Sequence, residues 1–369
     1  MRMKIAKNEL IKGINIALRA VASRPQFPIL ECILIDARDG DIHFIANNTE
    51  LGVSTIVTGL IDEPGAVAIN AKMLSDVVRK LPDKDVTIIA DNDNYAVTIR
   101  CMKSRFNLSG QSEGDFIYFP ELEKEGCVMV SQYALKQALN QTLFSVLPDE
   151  RNKLMTGEYC EVKDDILRLI SLDGHRISIR RTPLKEKYDM TASIIPGKTL
   201  SELTKLLSSD VDEMVSIYFL KNHVIFEMGD TVMASRLIEG EYFHVDQMIS
   251  YEYSTSIKVD RQMLMSMLDR ATLFIRENDK QPVIFNITCD TLAVSIATPL
   301  GKMDEDMDAT VTGPGLKIGF NPRFMLEALK AADEEEVTLY CTNRKSPCYI
   351  RDELKTYNYL ILPVNFSEA

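Results

Sequence analysis

The chain has 369 residues, of which 46 % are hydrophobic and 26 % charged, and its formal net charge is −12. These values exclude a disordered or fibrous protein and are typical of an ordinary globular chain of several domains. No apolar run approaches the length needed to span a membrane. The acidic balance, taken alone, argues against nucleic-acid binding, because phosphate contacts draw on lysine and arginine.

A threefold repeat of about 120 residues organises the chain. Each copy opens with a residue that favours a helix N-cap, followed by apolar residues at helical spacing: Asn8, Ser131 and Asp260. A second helical stretch follows about 60 residues later in every copy, so the sequence predicts six helices. Their predicted ranges are 7–24, 71–81, 131–147, 197–208, 260–276 and 321–332.

Alternating apolar and polar residues after each helix predict antiparallel strands. The same strand opening follows every second helix, at Val86, Val215 and Val337. Helices that lie on antiparallel sheets give an α+β fold, here three tandem copies of one domain with two helices each. We expect the domains at 1–124, 125–252 and 253–369.

Seven cysteines from Cys32 to Cys348, an odd number without a Cys-x-x-Cys pair, argue against a disulfide framework and against a zinc site. The basic N-terminus lacks an uninterrupted apolar segment behind it, so no secretion signal is expected. A cytoplasmic protein is the simplest interpretation.

All six predicted helices are net basic, with formal charges between +1 and +3 and a total of +9. Helices that share one basic surface could face a polyanion while the acidic strands and loops face solvent. The alternative is that lysine and arginine, which are good helix formers, occupy solvated faces. The sequence leaves both interpretations open.

No catalytic constellation is evident. The four histidines lack a nucleophile or partner pattern that would complete a triad or metal site, and a structural or pocket role is favoured for His175. No glycine-rich loop carries the Lys-Ser/Thr of an ATP site. We therefore expect no enzyme activity, no cofactor and no metal.

Three segments resemble one known family. Arg24 to Leu30, Leu172 to Ile177, and the closing Tyr359 to Phe366 are similar to signature segments of the bacterial DNA polymerase III beta subunit, the sliding clamp family. The chain length and the threefold repeat fit the same family.

The resemblance implies a processivity factor: a head-to-tail homodimer that closes into a ring and slides on duplex DNA without sequence specificity. Twelve helices at a spacing of about 9 Å would trace a circle about 34 Å across and leave an opening of about 24 Å, wide enough for a duplex. The implied partners are double-stranded DNA, the catalytic subunit of the replicative polymerase, the clamp loader, and other replication and repair proteins with clamp-binding motifs. The alternative is a triplicated protein-binding scaffold that does not encircle DNA.

The resemblance also implies three sets of site residues. The residues expected to face DNA are Arg24, Lys198, Asn321 and Phe324, although a surface or capping role is as well supported for each. Those expected at the dimer interface are Phe106, Leu108, Leu273 and Phe274, with Arg276 near enough to pair with acidic residues. For Phe106 and Leu108, the alternative is that they fill the core of their own domain. Those expected to line a peptide-binding pocket are Met155, Leu172, Gly174, His175, Arg176, Ile177, Phe243, Met248, Leu360, Leu362, Pro363 and Val364. Phe243 stands where the family usually has proline, which predicts an altered rim and a different peptide preference.

Overall fold

A computed structural model describes residues 1–22, 25–120, 123–124, 126–148, 151–275 and 281–366. Six α-helices lie in these ranges, two in each repeat copy, as the sequence predicts. Their bounds are α1 Lys7–Ala17, α2 Ala71–Lys80, α3 Gln132–Asn140, α4 Gly197–Leu206, α5 Arg261–Thr272 and α6 Pro322–Ala331.

The strands of the first copy are β1 Arg2–Ile5, β2 Cys32–Asp36, β3 Ile42–Asn47, β4 Leu51–Val57, β5 Leu60–Glu63, β6 Ala66–Asn70, β7 Val86–Ala90, β8 Ala96–Cys101 and β9 Ser104–Gln111. The second copy contains β10 Val128–Ser131, β11 Gly157–Leu172, β12 Arg176–Pro196, β13 Met214–Phe219, β14 His223–Met228 and β15 Thr231–Arg236. The third contains β16 Thr255–Asp260, β17 Val283–Ile287, β18 Thr291–Thr298, β19 Gly301–Asp308, β20 Thr310–Thr312, β21 Leu316–Phe320, β22 Glu336–Cys341, β23 Cys348–Arg351 and β24 Tyr357–Ile361. All pairings are antiparallel, which confirms the predicted α+β class.

The helix starts are set by side-chain caps in the third copy and at α2. Asp260 accepts the backbone N–H of Met263, and Asn321 accepts that of Arg323 ahead of Pro322. The prediction that Asn8 caps α1 was wrong. The extended residue Ala6 joins β1 directly to a helix that begins at Lys7, so Asn8 lies inside the first turn.

Two compact units make up the chain, and each is described by itself. The first unit, Met1–Gln132 with Lys205–Leu237, holds a 13-stranded sheet in which β4 of the first copy pairs with β15 of the second. Val53 lies opposite Met233 in that pairing, and Thr55 lies opposite Thr231 with their hydroxyls 2.8 Å apart. A continuous sheet therefore joins the first two repeat copies.

The second unit, Tyr133–Thr204 with Ile238–Ala369, holds a 7-stranded and a 4-stranded sheet. In the larger sheet, β12 of the second copy pairs with β24 of the third, and Ser178 lies opposite Tyr359. Helices α5 and α6 pack over the core of the third copy, where Leu264, Leu268 and Leu329 are fully buried. The second junction therefore repeats the strand pairing of the first.

Candidate functional site

The turn between β11 and β12 is built around Asp173. One of its carboxylate oxygens accepts the backbone N–H groups of His175 and Arg176 at 2.9 and 3.1 Å. Gly174 takes a φ of +86°, a left-handed conformation that a side chain would strain. Asp173 was absent from the predicted site, yet it fixes the turn that presents His175 and Arg176.

Arg176 is buried and connects three parts of the second unit through hydrogen bonds. Its Nε donates to Asp173 at 2.9 Å, and its two terminal nitrogens donate to Glu327 on α6 and to the carbonyl of Phe144. The guanidinium also lies 4.4 Å from the ring centre of Phe324. Charge-assisted hydrogen bonds of this kind hold a planar guanidinium in one orientation, so Arg176 ties the second copy to the third.

Phe324 packs against this arginine. Its ring covers Arg176 and stacks on His175 with 6.1 Å between ring centres. The sequence grouped Phe324 with the DNA-facing residues, whereas the structure packs it against two of the predicted pocket residues. A pocket role is the interpretation that these contacts support.

An apolar cluster lies beside the turn. Leu172, Ile177, Tyr242 and Leu360 are buried in it, with Met155 and Phe243 packed on its margin. Tyr242 donates its hydroxyl to the carbonyl of Ile170 at 3.2 Å and stacks on Tyr159 at 5.2 Å between ring centres. Met248 remains 49 % exposed and Leu362 39 %. Exposed apolar side chains beside a buried apolar cluster are the features of a preformed docking site.

The C-terminal segment completes this surface. Leu362 donates its backbone N–H to the carbonyl of His175 at 2.9 Å, and Val364 donates to that of Gly319 at 2.8 Å. Phe366 passes so close to Gly319 that a Cβ there would lie 2.8 Å from its ring. Pro363, half-buried, lies between the two anchor points, so backbone bonds fix the tail against the predicted pocket residues.

The residues expected to face DNA lie at an exposed position, at a helix cap or outside the described residues. Lys198 is exposed in the first turn of α4, and Asn321 serves as the cap of α6. Arg24 and Arg276 lie outside the described residues. Each helix is net basic within its structural bounds: α2 carries +2 and the other five carry +1.

The predicted interface residues lie largely at the surface. Phe106 on β9 is 38 % exposed, Leu273 after α5 is 77 % exposed, and Leu108 and Phe274 are half-buried. Phe274 lies against Gly301 at the start of β19. Within the described part of the chain, no helix is long and apolar enough to cross a membrane.

Comparison with known proteins gives one consistent family. The N-terminal, central and C-terminal domains of the DNA polymerase III beta subunit match residues 1–120, 129–244 and 246–365. A solved structure from Eubacterium rectale, described as a DNA polymerase III beta subunit, is 46 % identical with a TM-score of 0.95, over 99 % of this chain and 100 % of that one.

Two further relatives agree. A "Beta sliding clamp" from Staphylococcus aureus is 29 % identical over 99 % of each chain. A sliding clamp from Bartonella birtlesii, solved bound to griselimycin, is 28 % identical with a TM-score of 0.93, over 99 % of this chain and 100 % of that one. Three consecutive domain matches cover nearly the whole sequence. The chain belongs to the DNA polymerase III beta subunit family.

Proposed function

We propose that this chain is the non-catalytic processivity subunit of a replicative DNA polymerase. Two copies join head to tail into a ring around duplex DNA, and a pocket on each copy tethers the polymerase, the clamp loader and repair proteins. The observation that carries the proposal is a strand junction that occurs twice within the chain and leaves the two equivalent strands of a third, β9 and β19, without this pairing in the described residues.

The internal repeat defines which strands form this third junction. Met233 on β15, Tyr359 on β24 and Phe106 on β9 are equivalent. Each pairs with the residue of the middle strand that faces Ile217, Leu339 or Ile88, and these three lie two positions after Val215, Val337 and Val86. Val53, Ser178 and Met303 are equivalent as well. In the hairpins β3–β4, β11–β12 and β18–β19, each of them lies opposite the residue seven positions before it. Since Val53 faces Met233 and Ser178 faces Tyr359, the remaining pair is Met303 with Phe106 of a second copy.

Exposure supports this pairing. Met233 and Tyr359 are 0 % and 1 % exposed because the neighbouring repeat covers them, whereas Phe106 is 38 % exposed. Phe144 packs edge-on against Tyr359 at 5.6 Å, and its equivalent in the third repeat, twelve residues after the first residue of α5, is the exposed Leu273. Leu273 would therefore cover Phe106 of the partner subunit, and Leu108 would meet Gly301 beside Phe274. Burial of such side chains is what makes an open strand edge a specific interface.

The charges along the two strands match in this register. With Met303 opposite Phe106, Asp304 lies opposite Arg105, and Asp306 lies opposite Lys103 beyond the end of β9. All four side chains are exposed in the single chain. Opposite charges that face each other across an antiparallel pair stabilise it and disfavour other registers.

A charge exchange tests the register. Arg105→Asp or Asp304→Arg alone puts like charges in both seams and should weaken the dimer roughly tenfold in sedimentation equilibrium at low salt. The double variant should recover most of the loss, and the control Asp165→Arg, on the exposed part of β11, should leave the dimer unchanged. Failure of the double variant to recover any affinity would mean that the register is wrong.

The ring itself accounts for weak, sequence-independent contacts with DNA. A modest positive charge on each helix attracts phosphates without holding them, and topology rather than affinity retains the ring. Loaded by its clamp loader, the protein should remain on a nicked circular plasmid and leave once a restriction enzyme linearises it. Equal retention on both forms would refute encirclement and favour a scaffold that binds beside DNA.

The pocket proposal rests on the apolar cluster around Leu172, Ile177 and Leu360. The turn held by Asp173 and Arg176 lies on one side of it and the C-terminal segment on the other. Phe324 belongs to its wall, and Phe243 shapes its rim in place of the usual proline. Adaptable apolar side chains with a few fixed polar groups suit short linear motifs from several partners. Griselimycin provides a probe, and a Leu360→Asp variant should lose its binding. Retention of full affinity by that variant would place the pocket elsewhere.

The domain bounds 1–124, 125–252 and 253–369 and a cytoplasmic location complete the proposal. Both follow from a subunit that works on DNA and is built of three family domains. Limited proteolysis that cleaves first near residues 121–126 and 250–256 would support the bounds.

A further inference from the structure

The turn that precedes β19 repeats the turn that precedes β12. The Thr298 hydroxyl accepts the backbone N–H of Leu300 at 3.1 Å, as the Asp173 carboxylate accepts that of His175 at 2.9 Å. Leu300 and His175 each lie three positions before the residue that the repeat aligns at the strand junction. Leu300 therefore occupies in the third copy the place that His175 occupies in the second.

Helices α2 and α6 are equivalent as well. Each has ten residues, and each begins after an asparagine whose side chain caps the helix, Asn70 or Asn321. Met73 is the third residue of α2, and Phe324 is the third residue of α6. Met73 therefore occupies in the first copy the place that Phe324 occupies in the third.

The second junction brings these two places into contact. His175 stacks on Phe324 with 6.1 Å between ring centres, beside the strand pair of β12 and β24. The proposed seam pairs β19 of one copy with β9 of another in the same register. Transferred to the seam, the contact between His175 and Phe324 becomes one between Leu300 and Met73 of the partner subunit.

Both side chains are apolar and open to solvent in the single chain. Leu300 and Met73 are each 52 % exposed. Leu300 also continues the apolar edge that Leu273 and Phe274 begin, because the Phe274 ring lies against Gly301, the residue after Leu300. Adjoining exposed apolar side chains at the edge of a sheet are features of a protein–protein interface.

The polar link of the second junction is changed at the seam. Gly301 stands in the place of Arg176, which bonds to Glu327 on α6, and a Cβ at Gly301 would lie 2.9 Å from the Phe274 ring. Asp76, the sixth residue of α2, stands in the place of Glu327 and is exposed. Because glycine offers no guanidinium to this aspartate, the seam depends at this place on apolar burial.

We propose that Leu300 packs against Met73 of the partner subunit and adds a second layer of contact to the seam, beside the strand pair. The inference rests on the proposed dimer and adds to it the residues that join the third copy of one chain to α2 of the other. A partner that uses both layers must present β9 and α2 together, and a second copy of this chain does so.

A charge exchange across the contact tests the proposal. Leu300→Glu or Met73→Lys alone sets a charge against an apolar side chain and should weaken the dimer roughly tenfold in sedimentation equilibrium at low salt. The double variant should recover most of the loss, because its two charges then face each other. Two controls should leave the dimer unchanged: Met190→Glu on β12, where the methionine is 64 % exposed, and Met263→Lys, the third residue of α5, where it is 48 % exposed.

Failure of the contact differs from failure of the dimer. If the unmodified chain is a dimer that neither single variant weakens, or if the double variant recovers no affinity, Leu300 and Met73 of the partner subunit do not meet, and the strand pairing stands. If the unmodified chain stays monomeric at every concentration, the seam itself is wrong, and this contact with it.

Discussion

Glu158 offers a quantitative test of the core of the second domain. Its side chain is fully buried, one oxygen lies 2.7 Å from the Thr142 hydroxyl, and the other has no hydrogen-bond partner in the described part of the chain. The equivalent residues are Ile33 and Val283, because Ile33, Glu158 and Val283 pair with the strand end that leads into α2, α4 and α6. A carboxyl group thus stands where the other two repeats bury an aliphatic side chain.

Burial raises the pKa of Glu158 from 4.5 to about 8, and the Thr142 hydroxyl offsets only part of that effect. Between these two pKa values the unfolded chain carries the ionised carboxylate and the folded chain the neutral acid, so the folded state binds one more proton. The free energy of unfolding therefore falls by about 1.4 kcal/mol for each pH unit. From pH 4.5 to pH 7 the loss is about 3 kcal/mol.

Glu158→Gln keeps the shape and removes the titration. The amide can donate to Thr142, whose own proton is then available to the Ala138 carbonyl at 2.9 Å. We expect the variant to match the unmodified chain near pH 4.5 and to be about 3 kcal/mol more stable at pH 7, because the unfolded chain no longer gains an ionised carboxylate.

The measurement is urea unfolding at several pH values, followed by hydrogen exchange of peptides from β11 so that the second domain is observed. Glu186→Gln, an exposed change on β12, is the control and should not alter the pH dependence. Parallel stability profiles for Glu158→Gln and the unmodified chain between pH 5 and pH 7.5 would refute the assignment of a neutral buried acid.

Further predictions concern the seam, the pocket and a cap. Leu273→Lys with Phe274→Lys should give a soluble monomer in analytical ultracentrifugation, because both charges would enter the seam; a persistent dimer would move the interface elsewhere. Deletion of residues 362–369 should abolish peptide binding in titration calorimetry and leave the dimer intact, since the tail borders the pocket and not the seam. Phe324→Ala should weaken peptide binding about fivefold and leave retention on circular DNA unchanged, and the opposite pattern would restore Phe324 to the DNA-facing set. Asn321→Ala should lower stability by about 1 kcal/mol in thermal unfolding, as loss of an N-cap does.

Local signals in the sequence located the helices but not all of their ends. The caps Asp260 and Asn321 and the strand start at Val86 are local chemistry, and the structure confirms them. The strands predicted to open at Val215 and Val337 begin one residue earlier, at Met214 and Glu336. The first and third helices end earlier than predicted, because 3-10 turns at Leu18–Ala20 and Leu143–Ser145 continue the same apolar spacing.

The long strands of the second domain could not be predicted either. β11 and β12 run for 16 and 21 residues, where the first repeat divides the corresponding segments among shorter strands. Only pairing partners from other parts of the chain decide whether such segments merge. Alternation of apolar residues records which face is buried and contains no information about where a strand is interrupted.

The pocket, like the fold, could be predicted only in part. The turn from Leu172 to Ile177 was identified from its resemblance, but its supports were not: Glu327 lies 151 residues from Arg176, and no spacing rule links them. Asp173 could have been found, because an aspartate before glycine at a strand end is a frequent turn signal. Tyr251 and Tyr253 were visible only as part of a predicted boundary, because their contacts are with Arg351 and Tyr340, which lie far along the chain.

The internal repeat supplies information that neither a single motif nor a single fold comparison contains. Two junctions of the chain serve as templates for the third: each gives a register and a buried pair, and the second also gives a covering side chain, Phe144. At the open ends the same positions hold Phe106 and Met303, with Leu273 in the place of the covering Phe144. In the dimer that we propose, β9 of one copy pairs with β19 of another, and Phe106 becomes buried as Met233 and Tyr359 are. Because the two edges are different strands, the proposed contact is head to tail, and whether it closes after two copies depends on the angle that each junction adds. Sedimentation at increasing concentration separates these cases, since a closed pair stops at the dimer and an open junction continues to grow.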